Sequence, residues 1–171
     1  MPSDRIRLSV AEAREHAERA MRGIGYDADE ASILADHAID AALCGYEYSG
    51  LAKLLNIPEH RRFKQPRRAM RILRETEVSV LYDGGNNVGM LAMYHAARAA
   101  IAKADLIAIH TAGSGRAVAP PGGRRPALGT NPIAFGLPSS RGPIVFDMGT
   151  SAFMGTDLSY RERMGQRYRT G

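Results

Sequence analysis

Two short stretches of this 171-residue chain end on residue types that can hold a ligand. Gly129-Thr130-Asn131-Pro132 leads into one apolar run, and a second run over 143–148 breaks after Phe146 into Asp147-Met148-Gly149-Thr150-Ser151. A strand that ends in Asp, Gly, Thr and Ser delivers backbone N–H groups and hydroxyls at its tip, which is where open α/β folds place ligands. A third stretch, Pro120-Pro121-Gly122-Gly123-Arg124-Arg125-Pro126, joins stiff and permissive backbone to two guanidinium groups. Their planar donor forks suit a cofactor pyrophosphate or a carboxylate; a plain surface loop is the alternative.

The remaining reactive residue types are less organised. Gly84-Gly85 and Gly122-Gly123 satisfy neither G-x-G-x-x-G nor the P-loop pattern, so no Rossmann reading is supported, and Gly84-Gly85 reads as a hairpin or βα turn. His16, His37, His60, His95 and His110 never fall into a metal-binding helix pattern and Cys44 has no cysteine partner, so no metal site is expected. Asp36 and Asp40 read as a solvated pair, and His37 and His95 as surface or core residues. Ser49 has no base beside it in sequence that would activate it. Arg61, Arg62, Lys64, Arg67, Arg68, Arg71 and Arg74 crowd into one short segment that could attract phosphate, nucleic acid or a carboxylate. Phe63 is the lone aromatic there, so the segment lacks a stacking platform, and a solvated face is the expectation.

Several elements must position these residues. Ser9 with Glu12, and Asp27 with Glu30, have capping-box spacing. Val10, Ala13, Ala17, Ala20 and Met21 recur at helical intervals, as do Ala31, Leu34, Ala38 and Ala41, so two short helices should pair as an antiparallel hairpin ending near Gly45. Residues 45–75 read as loop and then short helix, 78–82 as a strand, 89–103 as a long helix and 105–110 as a second strand. Residues 133–137 and 143–148 could form a strand pair, and 160–171 carries charge without a core-forming pattern.

An apolar fraction of 44% supports a core, and the length fits one domain or slightly more. No apolar run approaches the roughly 20 residues that cross a bilayer. With one cysteine and no leader-like start, a cytoplasmic location is expected.

Taken together, these segments resemble the malate/L-lactate dehydrogenase family, the group with sulfolactate, ureidoglycolate and diketogulonate oxidoreductases, distinct from the Rossmann-type lactate and malate dehydrogenases. The stretch from Leu43 to Gly50 looks like that family's L-R-G-x-x-S-H-G segment, and 83–104 like its D-G-x-x-x-x-G turn and long helix. Val118-Ala119-Pro120-Pro121-Gly122-Gly123 resembles V-A-P-x-G-G, and the two opening motifs resemble G-T-N-P and D-M-A-T-S. The resemblance implies an α/β fold: an N-terminal helical hairpin over 1–75, then, over 76–171, part of a mixed-sheet, non-Rossmann NAD(P)-binding domain. It implies hydride transfer between NAD or NADP and a 2-hydroxy acid, 2-oxo acid or cyclic imino acid, in a homodimer; the apolar runs and the basic segment, read by themselves, point to neither a membrane nor a nucleic-acid partner. By the same resemblance Thr111, Asp147, Met148, Gly149, Thr150 and Ser151 would line the cofactor, and Thr130 would face the substrate.

The chain also departs from the pattern. Ser49 stands where the family has its proton-donating His, Lys53 where it has a substrate-clamping Arg, and Ile57 where it has a Tyr. Ser49 is then the catalytic candidate and Lys53 the substrate-binding one. Ala104 joins Asp105 directly where a strand-and-helix unit of about 30 residues is expected, and the family's C-terminal half has no counterpart. Codons such as CGC TAC CGG ACG GGG for residues 167–171, read from their third base, encode the Leu-Pro-Asp-Gly that family members often carry, so a frameshift near Gln166 is one expectation. An inactive fragment acting as a binding partner is the alternative function.

Overall fold

The computed structural model describes residues 6–104, 107–111, 115–116, 118–142, 144–150 and 155–166. The chain forms two compact units: one runs to Arg68 and takes in Asn86–Leu91, the other comprises Ala69–Gly85 and the residues from Ala92 onward.

The first unit is built on α1 (Val10–Gly23) and α2 (Ala28–Leu43). Both helices open with the reciprocal caps their sequences encode. The Ser9 N–H donates to Glu12 Oε2 at 2.8 Å while the Glu12 N–H donates to Ser9 Oγ at 3.2 Å. The Asp27 N–H donates to Glu30 Oε2 at 3.2 Å, and the Glu30 N–H to Asp27 Oδ1 at 2.8 Å. These pairs satisfy backbone donors that have no partner inside the helix. Gly25, at φ +99°, makes the left-handed turn between the helices. Ala17 and Met21 of α1 meet Ala31, Leu34, Ala35 and Ala38 of α2, and the small side chains let the helices approach closely. Val10 and Ala20, also at helical spacing, stay exposed. Tyr26, Leu54, Ile57 and Leu91 complete the core. Burying Leu34 or Leu91 in full stabilises the unit by about 2 kcal/mol each.

After α2 the chain makes a 3-10 turn, Glu47–Ser49, then α3 (Leu51–Leu54) and α4 (Asn56–Glu59). Residues 71–75 form β1 (Arg71–Glu75), a strand the sequence pattern hides because two apolar residues sit among charges and every position is exposed. It pairs antiparallel with β2 (Val80–Asp83), and Arg71 reaches Asp83 Oδ2 across the pair at 3.2 Å. Gly84-Gly85 then leads into α5 (Gly89–Ala104), so the glycine pair is a βα turn.

In the second unit β3 (Ala108–Thr111), β4 (Ile133–Leu137) and β5 (Ile144–Met148) form an antiparallel sheet in the order β3-β4-β5. The β4–β5 hairpin matches the strand pair read from sequence. A further helix, α6 (Gly155–Arg163), lies in the charged C-terminal stretch and carries an Arg161–Asp157 ion pair of 2.9 Å one turn apart. No helix among the described residues is long and apolar enough to cross a membrane.

Candidate functional site

The register of the sheet decides which motif residues meet. Thr111 pairs with Ile133, and Ile133 pairs with Met148 on its other side, so one row crosses all three strands. The next row is His110, Ala134 and Asp147. Because β4 runs opposite to its neighbours, the ends of β3 and β5 and the start of β4 lie at one end of the sheet. Gly129-Thr130-Asn131-Pro132 enters there and Gly149-Thr150 leaves there.

Hydrogen bonds join the two motifs. The Thr150 N–H donates to the Thr130 carbonyl at 3.0 Å. The Thr150 hydroxyl lies 3.0 Å from that carbonyl and 3.1 Å from the carbonyl of Asn131. Both donors of Thr150 are therefore engaged by the neighbouring loop, which makes Thr150 a staple. Asn131 adopts φ +36°, a left-handed conformation that Asn tolerates better than most residues. The motif's residue types give no role to Asn131 individually, and the one local signal for its conformation is an Asn placed directly before Pro132. Thr111 and Met148 are exposed, Thr130 and Gly149 half-buried, and Ser151 lies outside the described residues.

Ser49 and Lys53 belong to the first unit. Their segment is held by the Ser49 N–H on the Tyr46 carbonyl at 3.0 Å and the Lys53 N–H on the Gly50 carbonyl at 2.9 Å. Gly50 between them is buried, and a Cβ there would stand 2.9 Å from Ala42 Cβ and 3.3 Å from the Glu47 carbonyl oxygen. Only glycine fits that approach to α2. Ser49 is half-buried beside the edge-to-face pair Tyr46–Tyr48. Lys53 is half-buried, and burial pushes its amine below the usual lysine range. Its ammonium has no hydrogen bond or ion pair among the described residues.

The basic segment is not a uniformly free surface. Arg67 grips Glu30 with both Nη atoms at 2.9 Å, donates to Asn87 Oδ1 at 3.1 Å and the Gly25 carbonyl at 3.0 Å, and stacks 4.2 Å above the Tyr26 ring. The hydrogen bond to Glu30 holds its guanidinium above the usual range, and burial raises the Tyr26 phenol. Asn86, at φ +63°, adds Nδ2 contacts to the carbonyls of Arg62 and Gln65 at 3.3 and 3.2 Å. These residues brace the loop over 60–68. Among the described residues no group of three His, Cys, Asp or Glu side chains could hold a metal ion.

The chain belongs to the malate/L-lactate dehydrogenase family, whose sequence profile matches residues 8–105 and 98–171. It is 29% identical to the L-sulfolactate dehydrogenase of Methanothermobacter thermautotrophicus over 94% of this chain and 56% of that protein. Over a shorter span, 39% of this chain and 20% of the relative, it is 48% identical to the Δ1-pyrroline-2-carboxylate/Δ1-piperideine-2-carboxylate reductase of Pseudomonas aeruginosa. The solved malate dehydrogenase of Pyrococcus horikoshii superposes with a TM-score of 0.75 at 26% identity, over 90% of this chain and 53% of that one.

The chain spans about half the length of the longer-matching curated relatives. Part of the difference is internal. The sulfolactate dehydrogenase match runs over 192 positions yet occupies 94% of 171 residues, so about 30 positions of that relative face no residue here. The two profile matches meet at 98–105, at the end of α5. That is the joint where a strand-and-helix unit was expected.

Proposed function

We propose that this chain forms part of a nicotinamide-dependent oxidoreductase that interconverts a 2-oxo acid and a 2-hydroxy acid, or reduces a cyclic imino acid. The observation that carries the reading is the stapled junction of Gly129-Thr130-Asn131-Pro132 with Asp147-Met148-Gly149-Thr150 beside Thr111. The small side chains and the polar backbone at that sheet end fit close contact with a nucleotide, and the family match agrees.

In this reading Thr111, Asp147, Met148, Gly149 and Ser151 line NAD or NADP, and Thr150 holds the loop that presents Thr130 to the substrate. A bound nicotinamide supplies the hydride. Lys53, half-buried and without a counter-ion among the described residues, attracts the substrate carboxylate as a point charge, lacking the bidentate fork of an arginine. Ser49 passes a proton from water to the substrate oxygen, because a hydroxyl both donates and accepts but does not ionise near neutrality. The assembly is a homodimer acting on small molecules in the cytoplasm. Sulfolactate, malate and pyrroline- or piperideine-carboxylate, named for the relatives, are the acids to try first.

Titrating the protein with NADH and NADPH while following nicotinamide fluorescence tests the reading. Enhancement on binding, and oxidation of the cofactor with one of these acids, is expected. Absence of dinucleotide binding overturns the reading; binding without turnover supports an inactive member with Ser49 in place of the imidazole.

A further inference from the structure

We infer that Arg124 and Arg125 bind the 2′-phosphate of NADP and so set the cofactor preference of the oxidoreductase proposed above, on which this inference rests. The two arginines sit in a closed loop. The Val118 N–H donates to the Leu128 carbonyl at 2.9 Å, and the N–H groups of Leu128 and Ala127 both donate to the Val118 carbonyl at 3.0 Å. Inside that bridge the Gly123 N–H donates to the Pro120 carbonyl at 2.8 Å. Pro121 and Gly122, the latter at φ +75°, occupy the positions a type II turn requires of Pro and Gly. A Cβ at Gly123 would stand 2.9 Å from Pro120 Cγ, so the turn has no room for a side chain there. Arg124 and Arg125 follow this turn directly and Pro126 follows them, which limits the ordering entropy that ligand capture costs.

Both guanidinium groups are exposed, and neither has a hydrogen-bonding or ion-pairing partner among the described residues. Arg14, Arg67, Arg71 and Arg161, by contrast, each reach a carboxylate. The local charge is also one-sided. From 106 to 146 the sequence holds Arg116, Arg124, Arg125 and Arg141 and no Asp or Glu. Positive charge without compensation selects an anion.

The chemistry selects which anion. In Rossmann-type folds an Asp or Glu holds the ribose 2′-hydroxyl of NAD and an arginine accommodates the 2′-phosphate of NADP; the same guanidinium–phosphate chemistry serves at a site outside that fold. This segment offers two adjacent guanidinium forks and no carboxylate, a match for a dianionic phosphomonoester. Arg125 is five residues from Thr130, at most about 18 Å along the chain, so the loop stays within a dinucleotide's reach of the stapled sheet end.

The test uses the full chain labelled with nitrogen-15, titrated with NADP, NAD, 2′,5′-ADP and 5′-AMP, following the Arg124 and Arg125 Nε–Hε resonances and measuring affinities by calorimetry. NADP and 2′,5′-ADP should bind at least tenfold more tightly than NAD and 5′-AMP and should move both arginine resonances. The double variant Arg124→Ala/Arg125→Ala should lose that preference while keeping the affinity for NAD; Arg124→Lys/Arg125→Lys should keep part of it. Equal binding of NAD and NADP, or a preference unchanged in the double alanine variant, overturns the inference and leaves the oxidoreductase reading standing. Binding of 2′,5′-ADP without either dinucleotide keeps the phosphate site and overturns the oxidoreductase reading, and silence to all four overturns both. Stronger displacement of the two resonances by a DNA duplex than by NADP would also overturn the inference.

Discussion

Replacing Gly50 by Ala tests how Ser49 and Lys53 are seated. The added methyl would lie 2.9 Å from Ala42 Cβ and 3.3 Å from the Glu47 carbonyl oxygen. Neither obstacle is the end of a flexible side chain: one is the Cβ of a residue in the last turn of α2, the other is backbone. Relief therefore requires moving the 3-10 turn away from the helix, and overpacking of this kind costs about 1–3 kcal/mol. A loss of about 2 kcal/mol is expected for Gly50→Ala. Ala42→Gly alone should cost about 0.5 kcal/mol, below the full helix-propensity penalty because the site is near the helix end. The double variant removes the 2.9 Å contact with Ala42 Cβ and leaves the milder approach to the Glu47 carbonyl, so it should lie only about 1 kcal/mol below wild type, whereas independent effects would sum to about 2.5 kcal/mol. Urea unfolding followed by circular dichroism at 222 nm measures all four proteins, since the chain contains no tryptophan to report by fluorescence. An additive double variant, or a Gly50→Ala protein as stable as wild type, would refute the close approach to α2.

Arg67→Leu should lower stability by about 2 kcal/mol, between a buried charged pair and a surface one, because it removes a bidentate grip on Glu30 that is partly open to solvent. Arg61→Ala, measured by the same unfolding assay, should stay within about 0.5 kcal/mol of wild type. Lys53 has a folded-state pKa below its unfolded one, so the unfolded chain binds more protons between the two values and this residue's contribution to stability rises with pH there. Unfolding free energies of wild type and Lys53→Met compared from pH 7 to 10 should converge toward the alkaline end in favour of wild type, and a constant difference would remove the desolvation argument. Thr150→Val keeps the backbone bond to Thr130 but loses the hydroxyl contacts to Thr130 and Asn131, so dinucleotide affinity should fall several-fold, read by nicotinamide fluorescence. Unchanged affinity would show that the staple does not organise the site.

Much of this protein is written in local sequence. Both capping boxes, the helical hairpin, α5 and the β4–β5 hairpin follow from residues at most a few positions apart, because caps and amphipathic periods are satisfied by near neighbours. The motifs that mark the family are equally local strings. What sequence reading missed has a common cause. β1 carries charges on an exposed strand that is held by pairing with β2, and α6 is short and polar, so neither shows a core-facing period.

Only the tertiary structure decided how the site residues are used. In sequence Thr150 is one hydroxyl among several, whereas in the fold its donors meet loop carbonyls about 20 residues away. Arg67 reads as one more cation in a basic run until Glu30 and Asn87, 37 and 20 positions off, close on its guanidinium and leave it no free fork. Thr111 and Met148 come into one row only because each pairs with a different side of Ile133. Residue type sets what a group can donate or accept, and that much is read from the sequence alone. Whether the group remains available to a ligand depends on partners brought to it by strand register and packing, which act between distant segments and leave no local trace.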